Sequence, residues 1–152
     1  MSKEIPAKKN DWWYSNWTSS TFKLRDKIIW IGVDIWLAEF IINECKATAK
    51  NPLKCVKTTV AIYGNESGFW AHCLNNSCWG FIGYKYKSRN WAARWFITKY
   101  NRHWYTHTWG NFFYGWMGWL GKSWYCTSES SSSSPVGCPN GAKTFNYFYN
   151  KI

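Results

Sequence analysis

A single carboxylate, Glu66, stands out in the middle of the chain. The sequence has 19 Lys and Arg against eight Asp and Glu, and Glu66 is the only acidic residue between Glu44 and Glu129. Phe69 and Trp70 follow it closely. Burial against such rings raises the pKa of a carboxyl group, whereas cationic neighbours lower it, so the residue types leave the net direction open. Glu66 is therefore a candidate general acid, with a solvated surface Glu as the alternative.

The three histidines, His72, His103 and His107, are a weaker candidate site. His103 and His107 are four residues apart and can share one face of a helix. However, no Cys-x-x-Cys pair accompanies them, and the Glu of a metalloprotease helix is missing between them. We therefore expect neither a metal nor a cofactor.

The six cysteines form three couples along the chain. They are Cys45 and Cys55, Cys73 and Cys78, and Cys126 and Cys138. Six cysteines allow 15 connectivities, but each couple brackets turn-forming residues, so we predict disulfides between neighbours. Disulfides persist in oxidising compartments, which predicts an extracytoplasmic location: periplasm, cell wall or secreted.

Aromatic and basic residues dominate the composition. Aromatics make up 22% of the chain, with 14 Trp and 10 Tyr, and the formal net charge is +11. One core of this size does not bury so many rings, so some are expected at a surface where they stack on sugars or bases. The charge indicates an anionic partner, namely nucleic acid, acidic lipid or an anionic wall polymer.

The length of 152 residues is typical of one domain. We predict an irregular N-terminal arm over residues 1–24 that packs on a single domain over residues 25–152. The most apolar run, residues 28–42, contains two acids and is too short for a bilayer, so no transmembrane segment is expected. The first ten residues lack the pattern of a signal peptide, which leaves the export route open.

Helix signals surround Glu66. Asn51 followed by Pro52 is a helix start, and Gly68 is a helix end, which predicts a helix up to Asn65 or Glu66. Further helices are predicted over residues 25–45 as one core helix, over residues 90–100, and within residues 143–152. Residues 67–86 are predicted to be loop with room for a hairpin, and residues 126–138 to be a Ser-rich surface loop.

Three stretches of the chain together resemble a known family. They are Asn51-Pro52, Val60-x-x-Tyr63-x-Asn65-Glu66-Ser67-Gly68-Phe69 and Gly80-Phe81-Ile82-Gly83. In this order they resemble the catalytic helix and following loop of lytic transglycosylases and goose-type lysozymes, in which a helix ends in Glu-Ser. Gly83 stands where the family has Gln.

The resemblance implies a mainly α, lysozyme-like helical domain with long loops, room for a small hairpin, and disulfide staples. It implies cleavage of the MurNAc-GlcNAc β-1,4 bond with Glu66 as acid and then base, which gives a 1,6-anhydro product. Ordinary glycosidases need two carboxylates. One central acid suits a transglycosylase, although hydrolysis stays open.

Substrate contacts are expected from residues near the motifs and from the family's late Tyr-Asn pair. These residues are Ser67, Phe69, Gly80, Phe81, Tyr125, Tyr149 and Asn150. Tyr149-Asn150 is the preferred match to the Tyr-Asn pair, and Tyr100-Asn101 is the alternative. The rings are suited to stacking on sugars, and core packing is their alternative role.

The expected partner is therefore the glycan strand of peptidoglycan, with no nucleic acid, and the surplus Trp residues offer a surface for a protein partner. Two other hypotheses about the function remain. One is a nonenzymatic, basic and aromatic module that binds a glycan or a nucleic acid. The other is a secreted, membrane-active toxin. Loss of activity on changing Glu66 alone separates the enzyme from both.

Overall fold

A computed structural model describes residues 11–68, 73, 76, 78–79, 86–104 and 147–152, and only the backbone of residues 11, 65–67 and 103–104. These residues form a short 3-10 turn and five α-helices. The elements are the turn Asp11–Tyr14, α1 (Ser19–Ile31), α2 (Ile35–Thr48), α3 (Pro52–Ser67), α4 (Arg89–Trp104) and α5 (147–151). Since no strand occurs among the described residues, the predicted mainly helical class is confirmed.

The single helix predicted over residues 25–45 is wrong, because two helices meet there. Gly32 ends α1 with φ of 139°, a conformation that favours glycine, and its N–H donates to carbonyls of the last turn. Asp34 then begins α2, where its Oδ1 accepts from the Leu37 N–H at 3.1 Å. The apolar periodicity hides this break because both helices face the same core.

The N-terminal segment is more regular than predicted. α1 begins at Ser19, inside the expected irregular arm, and Thr18 caps it through reciprocal hydrogen bonds with Thr21. The residues before α1 pack on the body as expected. For example, the Trp17 Nε1 donates to the Asn43 Oδ1 on α2 at 2.7 Å.

α3 forms as the sequence predicts. The Asn51 Oδ1 accepts from the Lys54 N–H at 3.1 Å, and Pro52 occupies the first turn, where its missing N–H has no cost. At the other end, Gly68 adopts φ of 58° and its N–H donates to the Gly64 carbonyl. These local signals position the candidate residue Glu66 within the last turn.

The core lies between α2, α3 and α4 and is centred on Trp79. The Trp79 ring is fully buried and stacks on Tyr63, with ring centroids 4.8 Å apart, and on Phe96, with centroids 6.4 Å apart. Its Nε1 donates to the Thr59 carbonyl at 2.9 Å, so its one polar group is satisfied. α4 contains the helix predicted over residues 90–100. The C-terminal residues Phe148, Tyr149 and Ile152 pack against this core, as predicted for the tail.

Two of the three predicted disulfides are present. Cys45–Cys55 joins the end of α2 to the start of α3, and Cys73–Cys78 closes a short turn. Neighbour pairing is therefore confirmed for these couples. Cys126 and Cys138 lie outside the described residues.

We expect the double variant Cys45→Ala/Cys55→Ala to lose about 2–3 kcal/mol of unfolding free energy. The bond closes a loop with a sequence separation of 10 residues, and opening it returns that chain entropy to the unfolded state. Urea unfolding measures the loss. The exposed neighbour Leu53 is the control, because Leu53→Ser should change stability by less than about 0.5 kcal/mol. Equal losses from both variants would contradict a specific contribution of the disulfide.

Candidate functional site

Glu66 lies at the C-terminal end of a buried helix. The preceding residues of α3, from Val60 to Gly64, are all buried. Glu66 is in the last turn, followed by Ser67 and the left-handed Gly68. The side chains of Glu66 and Ser67 lie outside the described residues. The carbonyls at a helix C-terminus carry partial negative charge, which disfavours an ionised carboxylate attached there.

A polar cluster meets this end of α3 and consists of Tyr63, Arg89 and Asp34. Tyr63 lies one turn before Glu66, and its hydroxyl accepts from the Arg89 Nη1 at 3.4 Å. The same nitrogen lies 2.5 Å from the Asp34 Oδ2. Burial raises the pKa of Tyr63, and the bond from Arg89 opposes that shift. The Tyr63–Arg89–Asp34 cluster thus joins the end of α3 to the beginnings of α2 and α4.

Asp34 is a carboxylate near the end of α3 that the sequence does not identify as part of the site. One of its oxygens accepts from the Leu37 N–H and the other pairs with Arg89. With both oxygens engaged, Asp34 caps α2 and orients Arg89. It is not available as a second catalytic acid without breaking these contacts.

The other carboxylates whose side chains are described are also paired. Asp26 and Glu39 both bind Arg25, and Glu44 binds Arg94 at 2.8 Å. In the part of the chain whose side chains are described, every carboxylate therefore has an arginine partner. This arrangement supplies no second acid for a two-carboxylate glycosidase.

The fully buried Glu39 is the centre of a second polar cluster, which also contains the half-buried Trp13 and Tyr14 and the buried Arg25. Its carboxylate accepts from the Trp13 Nε1 at 3.1 Å, from the Tyr14 hydroxyl at 3.0 Å, and from the Arg25 Nη1 at 3.1 Å. Burial, followed by the bond to Glu39, raises the pKa of Tyr14. Solvent does not reach Glu39, and its cluster joins the N-terminal segment, α1 and α2.

The preferred Tyr-Asn pair lies beside the first half of α3. The Lys57 Nζ is 4.4 Å from the centroid of the half-buried Tyr149 ring, and Asn150 is exposed. Lys57 precedes Glu66 by nine residues, which corresponds to about 13 Å along a helix and to the opposite side of it. The described contacts therefore place Tyr149 away from the last turn of α3.

The alternative pair lies at the far end of α4. Tyr100 is buried in the core, and the Asn101 Nδ2 donates to the Thr48 Oγ1 at 2.8 Å. Arg89, which contacts the end of α3, is twelve residues earlier, about 18 Å along the helix. Because the side chain of Glu66 lies outside the described residues, the match of either pair to the site stays a prediction.

Several predicted site residues lie outside the described part of the chain. They are Phe69, Gly80, Phe81 and Tyr125, together with His72, His107 and the side chain of His103. Their roles remain predictions, as does the hairpin within residues 67–86. Among the described side chains, no three His, Cys, Asp or Glu residues form a group able to hold a metal ion. The described helices include none with the length and apolar character to span a bilayer.

We expect the stability to fall as the pH rises above about 10, the ordinary pKa of tyrosine. Burial raises the pKa of Tyr14, Tyr63 and Tyr149, so above this pH the folded state holds protons that the unfolded state releases. Below about pH 10 the stabilising contribution of these three tyrosines is fully present. Urea unfolding from about pH 8 to about pH 11 measures the decline, and Tyr149→Phe should make it less steep. An equally steep decline in this variant would contradict a contribution from Tyr149.

Comparison of the chain with protein-family models, curated proteins and solved structures found no match. The resemblance to lytic transglycosylases and goose-type lysozymes therefore rests on the motif residues themselves.

Proposed function

We propose that the chain is a peptidoglycan-cleaving glycosidase, specifically a lytic transglycosylase with Glu66 as its acid and base. The observation that carries this is the position of Glu66. It lies in the last turn of a buried helix, before the left-handed Gly68 and one turn after Tyr63 of the polar cluster. The negative end of the helix favours the protonated acid, and the positive Arg89 at the same end favours the carboxylate formed next.

The reaction needs one carboxyl group. Glu66 donates its proton to the oxygen between MurNAc and GlcNAc as the bond from that oxygen to C1 breaks. The carbonyl oxygen of the neighbouring N-acetyl group bonds to C1. The Glu66 carboxylate then takes the proton of the C6 hydroxyl, whose oxygen displaces the N-acetyl oxygen and closes the 1,6-anhydro ring. This mechanism with a single acid does not require any of the four carboxylates that pair with arginine.

The net charge and the disulfides also support a peptidoglycan-cleaving enzyme outside the cytoplasm. Peptidoglycan and its attached polymers are anionic, and a protein of net charge +11 is attracted to them. The Cys45–Cys55 and Cys73–Cys78 bonds are suited to an oxidising compartment outside the cytoplasm. We place the enzyme in the periplasm, in the cell wall or among secreted proteins.

The test is digestion of purified peptidoglycan by the protein and by Glu66→Gln, with mass spectrometry of the released muropeptides. Anhydro ends released only by the unchanged protein are the expected result. Release of muropeptides with reducing ends would instead indicate a hydrolase, which requires a second acid. Release of no fragments by either protein would overturn the enzymatic function for this substrate.

The exposed aromatic surface of α4 favours one second candidate, a nonenzymatic binding module. Trp91 is 50% exposed, and the Arg94 guanidinium lies 5.3 Å from its ring centroid. Lys99 lies 4.7 Å from the Trp95 centroid on the same helix. Rings with cations beside them bind sugars or bases that carry negative charge. Binding to peptidoglycan that persists without fragment release would support this module.

A further inference from the structure

A groove lies between α1 and α5, apart from the candidate catalytic end of α3. Its volume is about 530 Å³, which is of the size that holds a small ligand. α1 contributes Lys27, Trp30 and Ile31, and α5 contributes Tyr147, Phe148 and Lys151. We refer to it as the α1–α5 groove.

Two aromatic rings of this groove are open to solvent. Trp30 is 81% exposed and Tyr147 is 57% exposed, whereas Ile31 and Phe148 are half-buried. The flat faces of exposed aromatic rings stack on the apolar face of a sugar ring. The rings therefore favour a saccharide.

The charged residues of the groove are both lysines. Lys27 stands on one side and Lys151 on the other, with the Lys151 Nζ 4.5 Å from the Tyr147 ring centroid. Among the described residues, no Asp or Glu lines the groove. Burial lowers the pKa of nearby Lys57, and the positive charge of Lys27 lowers it further. The groove therefore has positive charge on both sides, which suits an anionic ligand.

We propose that the α1–α5 groove is a second binding site, which holds an anionic saccharide by stacking on Trp30 and by pairing with Lys27 and Lys151. The identification of this saccharide as a peptidoglycan strand rests on the proposed function. Lys57, which interacts with Lys27, belongs to the first half of α3, whereas Glu66 belongs to its last turn. The groove therefore binds a stretch of glycan away from the bond that is cleaved and keeps the enzyme on its polymer.

The experiment measures sedimentation of the protein with purified peptidoglycan sacculi, in a Glu66→Gln background so that strands are not consumed. Trp30→Ala should weaken binding about tenfold. Lys27→Gln/Lys151→Gln should weaken binding to sacculi and reduce its salt dependence, while leaving binding to neutral chitin unchanged. Trp36→Ala and Lys23→Gln are matched controls at exposed positions outside the groove, and each should change binding less than twofold. Because Trp30 is exposed, its variant should keep the thermal unfolding of the parent.

Three results would overturn the proposed site. The first is Trp30→Ala binding sacculi as tightly as its parent. The second is an equal loss in Trp36→Ala, which would indicate general aromatic adhesion. The third is tighter, Trp30-dependent binding to phosphatidylglycerol vesicles than to sacculi, which would assign the groove to a membrane surface.

The outcomes also separate this site from the proposed function. If binding depends on Trp30 but the protein with intact Glu66 releases no fragments, the binding site in the groove is supported and the enzymatic function is refuted. If fragment release depends on Glu66 but the groove variants bind normally, the enzymatic function is supported and the binding site in the groove is refuted.

Discussion

Glu66→Gln is expected to lower the rate of peptidoglycan cleavage by about 10²–10⁴-fold, the usual contribution of a general acid or base. Glutamine has nearly the same shape and can still accept hydrogen bonds, but it cannot donate a proton to the glycosidic oxygen. It cannot take the proton of the C6 hydroxyl either, so both steps are impaired. Release of soluble muropeptides from labelled sacculi measures the rate.

Glu44→Gln is the matched control for this loss. Glu44 is also a glutamate in a helix, but it pairs with Arg94 at the surface, away from the end of α3. Its replacement should leave the rate within about twofold and the stability within about 1 kcal/mol. A rate for Glu66→Gln within tenfold of the unchanged protein would refute the acid–base role, provided both variants unfold at the same urea concentration.

Sequence reasoning worked best where structure is determined by neighbouring residues. The boundaries of α3 depend on Asn51, Pro52 and Gly68, and each acts on backbone groups within one turn of itself. Neighbouring cysteines pair for the same reason, since a short separation keeps them close. The sequence pattern does not reveal the break between α1 and α2 at Gly32, because apolar periodicity continues through it. A glycine can interrupt a helix without changing that pattern.

Tertiary contacts of the candidate site could not be predicted in this way. Asp34 and Arg89 are far apart in the chain and meet at Tyr63 only because α2, α3 and α4 pack together. The preference for Tyr149-Asn150 depends on its distance from Glu66 along the chain, which does not determine the side of α3 on which the pair lies. The structure shows Tyr149 beside Lys57, and because the side chain of Glu66 lies outside the described residues, the pairing with Glu66 stays a prediction.

The two kinds of basic residue have different roles in this molecule. Arg25, Arg89 and Arg94 bind the described carboxylates and join helices to one another. The planar guanidinium is suited to such pairing, since it forms several directed hydrogen bonds at once. Lys27 and Lys151 instead lie in a groove whose described lining contains no Asp or Glu. Positive charge is thus available to an anionic polymer at these two lysines, while the three arginines connect helices of the fold.

The buried Glu39 provides the largest expected change in stability. Glu39→Ala should lower the unfolding free energy by about 3–5 kcal/mol, because it leaves the Arg25 guanidinium buried beside fewer partners. Trp13 and Tyr14 lose their acceptor in the same variant, so the N-terminal segment keeps its hydrogen bonds to Asn43 but should open from α2 more often. Urea unfolding gives the free energy, and faster hydrogen exchange of residues 11–17 reports the opening.

Two further variants show whether this loss comes from burial of an unpaired charge. Asp26 binds the same Arg25, but its side chain is 62% exposed, so Asp26→Ala should cost at most about 1 kcal/mol. Arg25→Met/Glu39→Leu removes both charges and fills their space, and it should recover much of the stability lost in Glu39→Ala. If this double variant is no more stable than Glu39→Ala, the hydrogen bonds from Trp13 and Tyr14, and not the ion pair, are the main contribution of Glu39 to the fold.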